Sequence, residues 1–138
     1  TEPGRPMGGN RAAGLVLVMG LVWGCSGSDG LEVTMAEYTV EVAAEMESGA
    51  ATLRVGNVGA IDHELAVLET NRDPADLPVE DAEVQKDARV IREVGSTYRI
   101  GAGEEAMLTL RLRPGRYALI CNVPGHYQSG MYTGMRVV

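Results

Sequence analysis

Residues 106–121 constrain the fold more than any other stretch of this chain. Ala106, Leu108, Leu110 and Leu112 alternate with Met107, Thr109 and Arg111, Arg113-Pro114-Gly115-Arg116 has the composition of a tight turn, and Tyr117–Cys121 follows as a second apolar run. Side chains on a strand point to opposite faces with a period of two, so the first run buries one face and exposes the other. Two such runs joined by a Pro-Gly turn predict neighbouring strands in a sheet, and a sheet with one apolar face needs a second layer to cover it.

The same rhythm recurs elsewhere. Val33 and Met35, then Tyr38, Val40 and Val42, predict a first strand or a pair of short ones, and Glu47-Ser48-Gly49 a turn. Thr52–Val55 predicts a second strand, stopped by Gly56-Asn57-Val58-Gly59, and His63–Leu68 a third. Strand signal returns at 89–94 and 98–100, and residues 132–138 close the series. Residues 69–88 break it: Asp73-Pro74 and Leu77-Pro78 signal turns, and the acidic stretch 79–88 predicts a short helix. The expected architecture is an all-β sandwich of about seven or eight strands with a short helical excursion. With 138 residues there is room for one domain, and with no Phe its core is built from Val, Leu, Ile, Ala and Met. A formal net charge of -7 argues against nucleic acid, whose phosphates want a basic footprint.

Residues 1–24 read as an address rather than as fold. Arg5 and Arg11 precede an apolar run from Ala12 to Trp23, too short to span a bilayer, for which about 20 apolar residues are needed. The stretch Leu21-Val22-Trp23-Gly24-Cys25 resembles a bacterial lipoprotein signal. That resemblance implies a lipid on Cys25, a polar tether over 25–30, a domain over 31–138, and a place outside the cytoplasm at a membrane.

The chemistry lies in Cys121-Asn122-Val123-Pro124-Gly125-His126-Tyr127-Gln128-Ser129-Gly130-Met131, where a thiolate, an imidazole and a thioether stand at C-x4-H-x4-M spacing between two strands. The chain has one other histidine, His63, just after a Gly-rich turn. Two imidazoles, one thiolate and a weak thioether make a trigonal site with a long axial ligand, which suits copper in both oxidation states. Zinc gains little from a methionine, and iron–sulfur clusters need more thiolates. Pro124-Gly125 and Gly130 allow the two sharp turns that would aim Cys121, His126 and Met131 at one ion. Met135 lies close in sequence to Met131, but the x4 spacing favours Met131.

This segment, together with Asn57-x-Gly59 and Asp62-His63-Glu64-Leu65, resembles the ligand segments of the cupredoxins, with spacing closest to the rusticyanin, auracyanin and sulfocyanin-like members. The resemblance implies a Greek-key sandwich with one type 1 copper ion at one end, held by His63, Cys121, His126 and Met131. It implies that Asn57, Glu64 and Asn122 surround these ligands, with the Glu64 amide and the neighbourhood of Asn57 supporting the Cys121 sulfur. It also implies that the His126 edge surfaces in an apolar patch near Pro124 and Tyr127. The expected function is outer-sphere single-electron transfer by a monomer to redox protein partners; an extracytoplasmic copper carrier or store is the alternative. A copper enzyme needs more histidines than these two, so none is expected. The acidic residues Glu80, Asp81, Glu83 and Asp87 read first as a solvated helix face.

Overall fold

The computed structural model describes residues 30–138, which form eleven strands: β1 (Leu31–Ala36), β2 (Thr39–Glu41), β3 (Glu45–Met46), β4 (Gly49–Asn57), β5 (Leu65–Glu69), β6 (Val79–Glu80), β7 (Glu83–Val84), β8 (Arg92–Ser96), β9 (Glu105–Leu112), β10 (Gly115–Cys121) and β11 (Tyr132–Val137). The expected leader over 1–24 and Cys25 lie outside the described residues, as does all but the last residue of the tether.

Two sheets pack face to face. One has the order β2-β1-β4-β9, the other β3-β11-β10-β5-β8. The alternation over 106–112 is realised as read: β9 buries Leu110 and Leu112, half-buries Ala106 and Leu108, and exposes Met107, Thr109 and Arg111. β4 pairs with it antiparallel and turns Leu53, Val55 and Asn57 inward. Strand β4 runs longer than its apolar stretch, because Gly49–Ala51 and Gly56-Asn57 find ladder partners on β9 and β1.

β5 and β10 show no alternation in burial: Leu65–Leu68 and Tyr117–Cys121 are all buried. Period two still governs them. Leu65, Val67, Tyr117, Leu119 and Cys121 enter the core between the sheets, whereas Ala66, Leu68, Ala118 and Ile120 enter a second cluster with Leu77, Val84, Ile91 and Tyr127. The central strands are therefore covered on both faces, and it is the segment from Thr70 to Ile91 that covers the outer one.

That segment corrects the sequence expectation. The acidic stretch forms no helix; among the described residues there is none. Val79-Glu80 and Glu83-Val84 instead pair as a two-residue hairpin, with Asp81 at φ 51° and Ala82 at φ 65°. Positive φ at both central residues is the turn that matches strand twist, at a cost of about 1–2 kcal/mol for a residue with a Cβ. The cost is offset from outside: Gly125 donates to the Ala82 carbonyl (2.9 Å) and Val84 to the Asn122 side chain (2.8 Å). A second correction concerns His63. It does not open β5 but precedes it in an isolated antiparallel bridge to Ile100. The strand expected at 89–94 begins at Arg92 and runs to Ser96, and of 98–100 only Ile100 pairs.

Register brings one end of the sandwich together. β1 runs parallel to β4, with Met35 opposite Asn57, so the β1–β2 turn lies beside the β4–β5 crossing. β10 is antiparallel to β5, with Cys121 opposite Leu65, so the β10–β11 loop arrives at the same place. The opposite end is closed by Tyr117, 2% exposed, whose hydroxyl donates to the Arg113 carbonyl (2.8 Å) and accepts from the Arg113 amide (3.2 Å).

Candidate metal centre

Cys121 is the last residue of β10 and stays in phase with Tyr117 and Leu119, so its side chain points into the sandwich. It is fully buried and the one free cysteine among the described residues. The chain then turns back on itself. Gly125 at φ 82° and Gly130 at φ 106° take up the left-handed conformations these turns require. Within the loop His126 N bonds to Val123 O (2.9 Å) and Gly130 N to Tyr127 O (2.9 Å), while Cys121 N bonds to Met131 O (3.0 Å) across its mouth. The two glycines singled out in the sequence thus shape the loop as expected.

His63 comes from the crossing between the sheets. Its backbone exchanges two hydrogen bonds with Ile100 (3.1 and 2.8 Å), and its ring is wholly buried. Its Nδ1 lies 3.2 Å from His126 Nδ1 and 3.8 Å from Cys121 Sγ, and His126 Nδ1 lies 3.5 Å from the same sulfur. These are the atoms of a small triangle. A point equidistant from all three lies about 2.0 Å from each, the length of a metal–imidazole bond and close to that of a metal–thiolate bond. His63, Cys121 and His126 therefore fit a single ion of borderline softness.

Met131 is fully buried in the same core cluster, its backbone next to Cys121. Met135 pairs with Tyr117, four residues and roughly 13 Å down β10 from Cys121, so of these two methionines only Met131 neighbours Cys121.

The surroundings tune these groups. Burial pushes the Cys121 thiol up from its ordinary value, against the lowering hydrogen bonds of the Glu64 and Val123 amides; the Glu64 amide points at the sulfur from 3.4 Å. The Glu64 amide thus stands beside the sulfur, the position the resemblance implies. Burial, and after it the neighbouring His63, push the His126 imidazole down. Asn57 makes its hydrogen bonds elsewhere than at the sulfur. Its amide nitrogen donates to the carbonyls of Ile61 and Ile100 (both 2.8 Å) and its oxygen accepts from Gly59 N (2.9 Å). It braces the loop that carries His63. Asn57→Ala leaves buried backbone groups without partners and is expected to lower the unfolding free energy of the metal-free protein by about 2–4 kcal/mol, read by urea titration. Asn122 likewise faces away from the sulfur and holds the β6–β7 hairpin through both Val84 backbone groups.

Tyr127 departs further. It is 5% exposed, its hydroxyl donating to Pro74 O (2.7 Å) and accepting from Leu77 N (3.0 Å), so it anchors the 70–91 cover and forms no surface patch. Beside His126 stands Tyr38 instead, 44% exposed and edge-on at 5.4 Å between ring centres. Sequence reasoning also missed Glu37, which lies 2.8 Å from His63 Nε2. The Ala60 amide, opposed by desolvation and helped by the Ile61 amide and the His63 ring, holds the Glu37 carboxyl below its ordinary range. Glu37 and Tyr38 sit at a turn with no Gly, Pro or motif, and nothing in the local sequence marks them.

The profile of the sulfocyanin (SoxE) domain matches residues 32–138, nearly all of the described chain. The chain belongs to the sulfocyanin family. Its fold is shared with solved cupredoxins. Reduced auracyanin from Roseiflexus castenholzii aligns at a TM-score of 0.58 and 22% identity, over 78% of this chain and 94% of that one. Auracyanin A, described as a "blue" copper protein from Chloroflexus aurantiacus, aligns at 0.59 and 20% identity, over 81% and 100%. Rusticyanin from Thiobacillus ferrooxidans aligns at 0.53 and 19%, over 78% and 76%. At such identities the likeness is one of fold. No curated protein sequence matches this sulfocyanin-family chain.

Proposed function

We propose that this sulfocyanin-family protein is a blue-copper electron carrier that works outside the cytoplasm, with His63, Cys121, His126 and Met131 as the ligands of one type 1 copper ion. The observation that carries the reading is the triangle of two Nδ1 atoms and one Sγ with a common point at bonding distance. Copper, when bound, supplies a one-electron change between Cu(I) and Cu(II).

The chain's own residues prepare that change. His63 is fixed by its bridge to Ile100 and Cys121 by the end of β10, so neither has to move far when charge changes. The Glu64 amide donates toward the sulfur and stabilises it as thiolate. Buried apolar neighbours, Leu65 and Leu119 among them, exclude water. His126 is the ligand nearest to solvent, and its contact with the exposed Tyr38 marks where a redox protein partner would meet it. Both histidines of the chain are engaged in the triangle, which leaves none for a second, catalytic metal. The placement outside the cytoplasm, and an anchor through a lipid on Cys25, rest on the leader-like residues 1–25 alone.

Cu(II) added to the metal-free protein is expected to give one ion per chain and an intense visible absorption from thiolate-to-copper charge transfer. The band should bleach on reduction and return on oxidation. A colourless complex at full occupancy overturns the proposal. Mass spectrometry of the exported protein tests the anchor: a lipid mass on Cys25 is expected, and an unmodified cysteine or a cut beyond it removes that part.

A further inference from the structure

The loop that carries His63 is held by a residue from a different strand pair. Glu37 sits at the β1–β2 turn, which the parallel pairing of β1 with β4 brings to the metal end of the sandwich. Its carboxylate is 2.8 Å from His63 Nε2 and also accepts from Ala60 N (3.0 and 3.1 Å) and Ile61 N (3.2 Å). This is not a free surface acid, since four contacts define its position and its side chain is 29% exposed. Gly59 makes the approach possible: a Cβ at that position would run into the Glu37 carboxylate.

A neutral imidazole has one N–H and one lone pair. With an acceptor at Nε2, the proton stays there and the Nδ1 lone pair is left facing Cys121 Sγ and His126 Nδ1. A backbone carbonyl could also set the tautomer. A carboxylate does more, because it places a negative charge one imidazole away from the ion.

We infer that Glu37 is the positioning residue of the metal centre: it orients His63 through Nε2–H and favours the more highly charged state of the ion. This rests on the copper reading above. Removing the acceptor should weaken the site, and removing only the charge should weaken Cu(II) more than Cu(I), which raises the reduction potential.

The test compares Glu37→Gln and Glu37→Ala with the parent protein, each as the full chain. In competition with a chelator of known affinity, Glu37→Ala is expected to lose about 10–100-fold in Cu(II) affinity, with a smaller loss for Glu37→Gln, which keeps an oxygen acceptor. Both should show a higher potential in voltammetry. Nitrogen-15 spectra of the side chains should show a slowly exchanging His63 Nε2–H in the parent and in the Gln variant, and its loss in the Ala variant. Parental affinity and potential in both variants, or a His63 protonated at Nδ1 in the parent, would overturn the inference. If Glu37→Ala does not fold, the Gln variant still reads the potential and the parent still reads the tautomer. The spectra of the metal-free protein separate the two levels: a parent that fails to bind copper removes the functional proposal, whereas the Nε2–H signal tests the Glu37 contact by itself.

Discussion

Cys121→Ser is expected to abolish the visible colour of the copper-loaded protein and to lower its copper affinity by more than about 100-fold, a greater loss than an outer partner of a ligand causes. Serine is near in size and can accept the Glu64 amide in place of the sulfur, so the metal-free fold should persist with a cost of about 1 kcal/mol. The informative comparison is therefore between loaded and unloaded protein. Copper in 100-fold excess over its dissociation constant adds about 2.7 kcal/mol to the parent's unfolding free energy, and this increment should vanish in the variant. Thermal unfolding with and without Cu(II) measures it. An unchanged increment and an unchanged colour would place the ion somewhere other than the triangle.

The largest effect on stability is expected far from the metal, at Tyr117. Its ring is among the largest fully buried side chains, and its hydroxyl closes the β9–β10 turn through both backbone groups of Arg113. Tyr117→Ala should cost about 3–5 kcal/mol, a large share of the stability of a domain this size. Tyr117→Phe keeps the ring and should cost about 1 kcal/mol, the worth of the hydroxyl's bonds. Urea unfolding of the metal-free proteins distinguishes them, with midpoints shifted and slopes unchanged. Equal losses would mean that the hydrogen bonds, and not the ring, carry the contribution.

How much of this was legible in the sequence follows from how local each feature is. The strands over 106–112 and 117–121 were readable because burial on one face imposes a period of two, and the turn between them has Pro114-Gly115. The triangle was readable in part because Cys121 and His126 lie on one loop; His63 joined them as the remaining histidine, and only folding showed that its Nδ1 reaches theirs. The 79–84 hairpin was not readable. Its turn residues are Asp81-Ala82, without the glycine that normally permits positive φ, and the neighbouring acids have the look of a helix. Contacts with Asn122 and Gly125, some 40 residues away, override that local preference. Glu37 was hidden for the same reason, since its partner His63 is 26 positions distant and the meeting depends on the register of β1 with β4. Asn57 was named as lying around the ligands, but its bonds to Ile61 and Ile100, which brace the loop carrying His63, depend on partners that only the fold brings near.

The covering of β5 and β10 on both faces has a consequence for traffic. Cys121 ends strand β10, which lies between the sandwich core that the thiol enters and the 70–91 segment on the other face. Tunnelling falls off steeply with distance, so such padding on both faces of β10 works as insulation. Among the described residues of the triangle His126 is the least buried, and the exposed Tyr38 stands beside it, so a partner meeting the sandwich there would have the shortest path to the buried thiol.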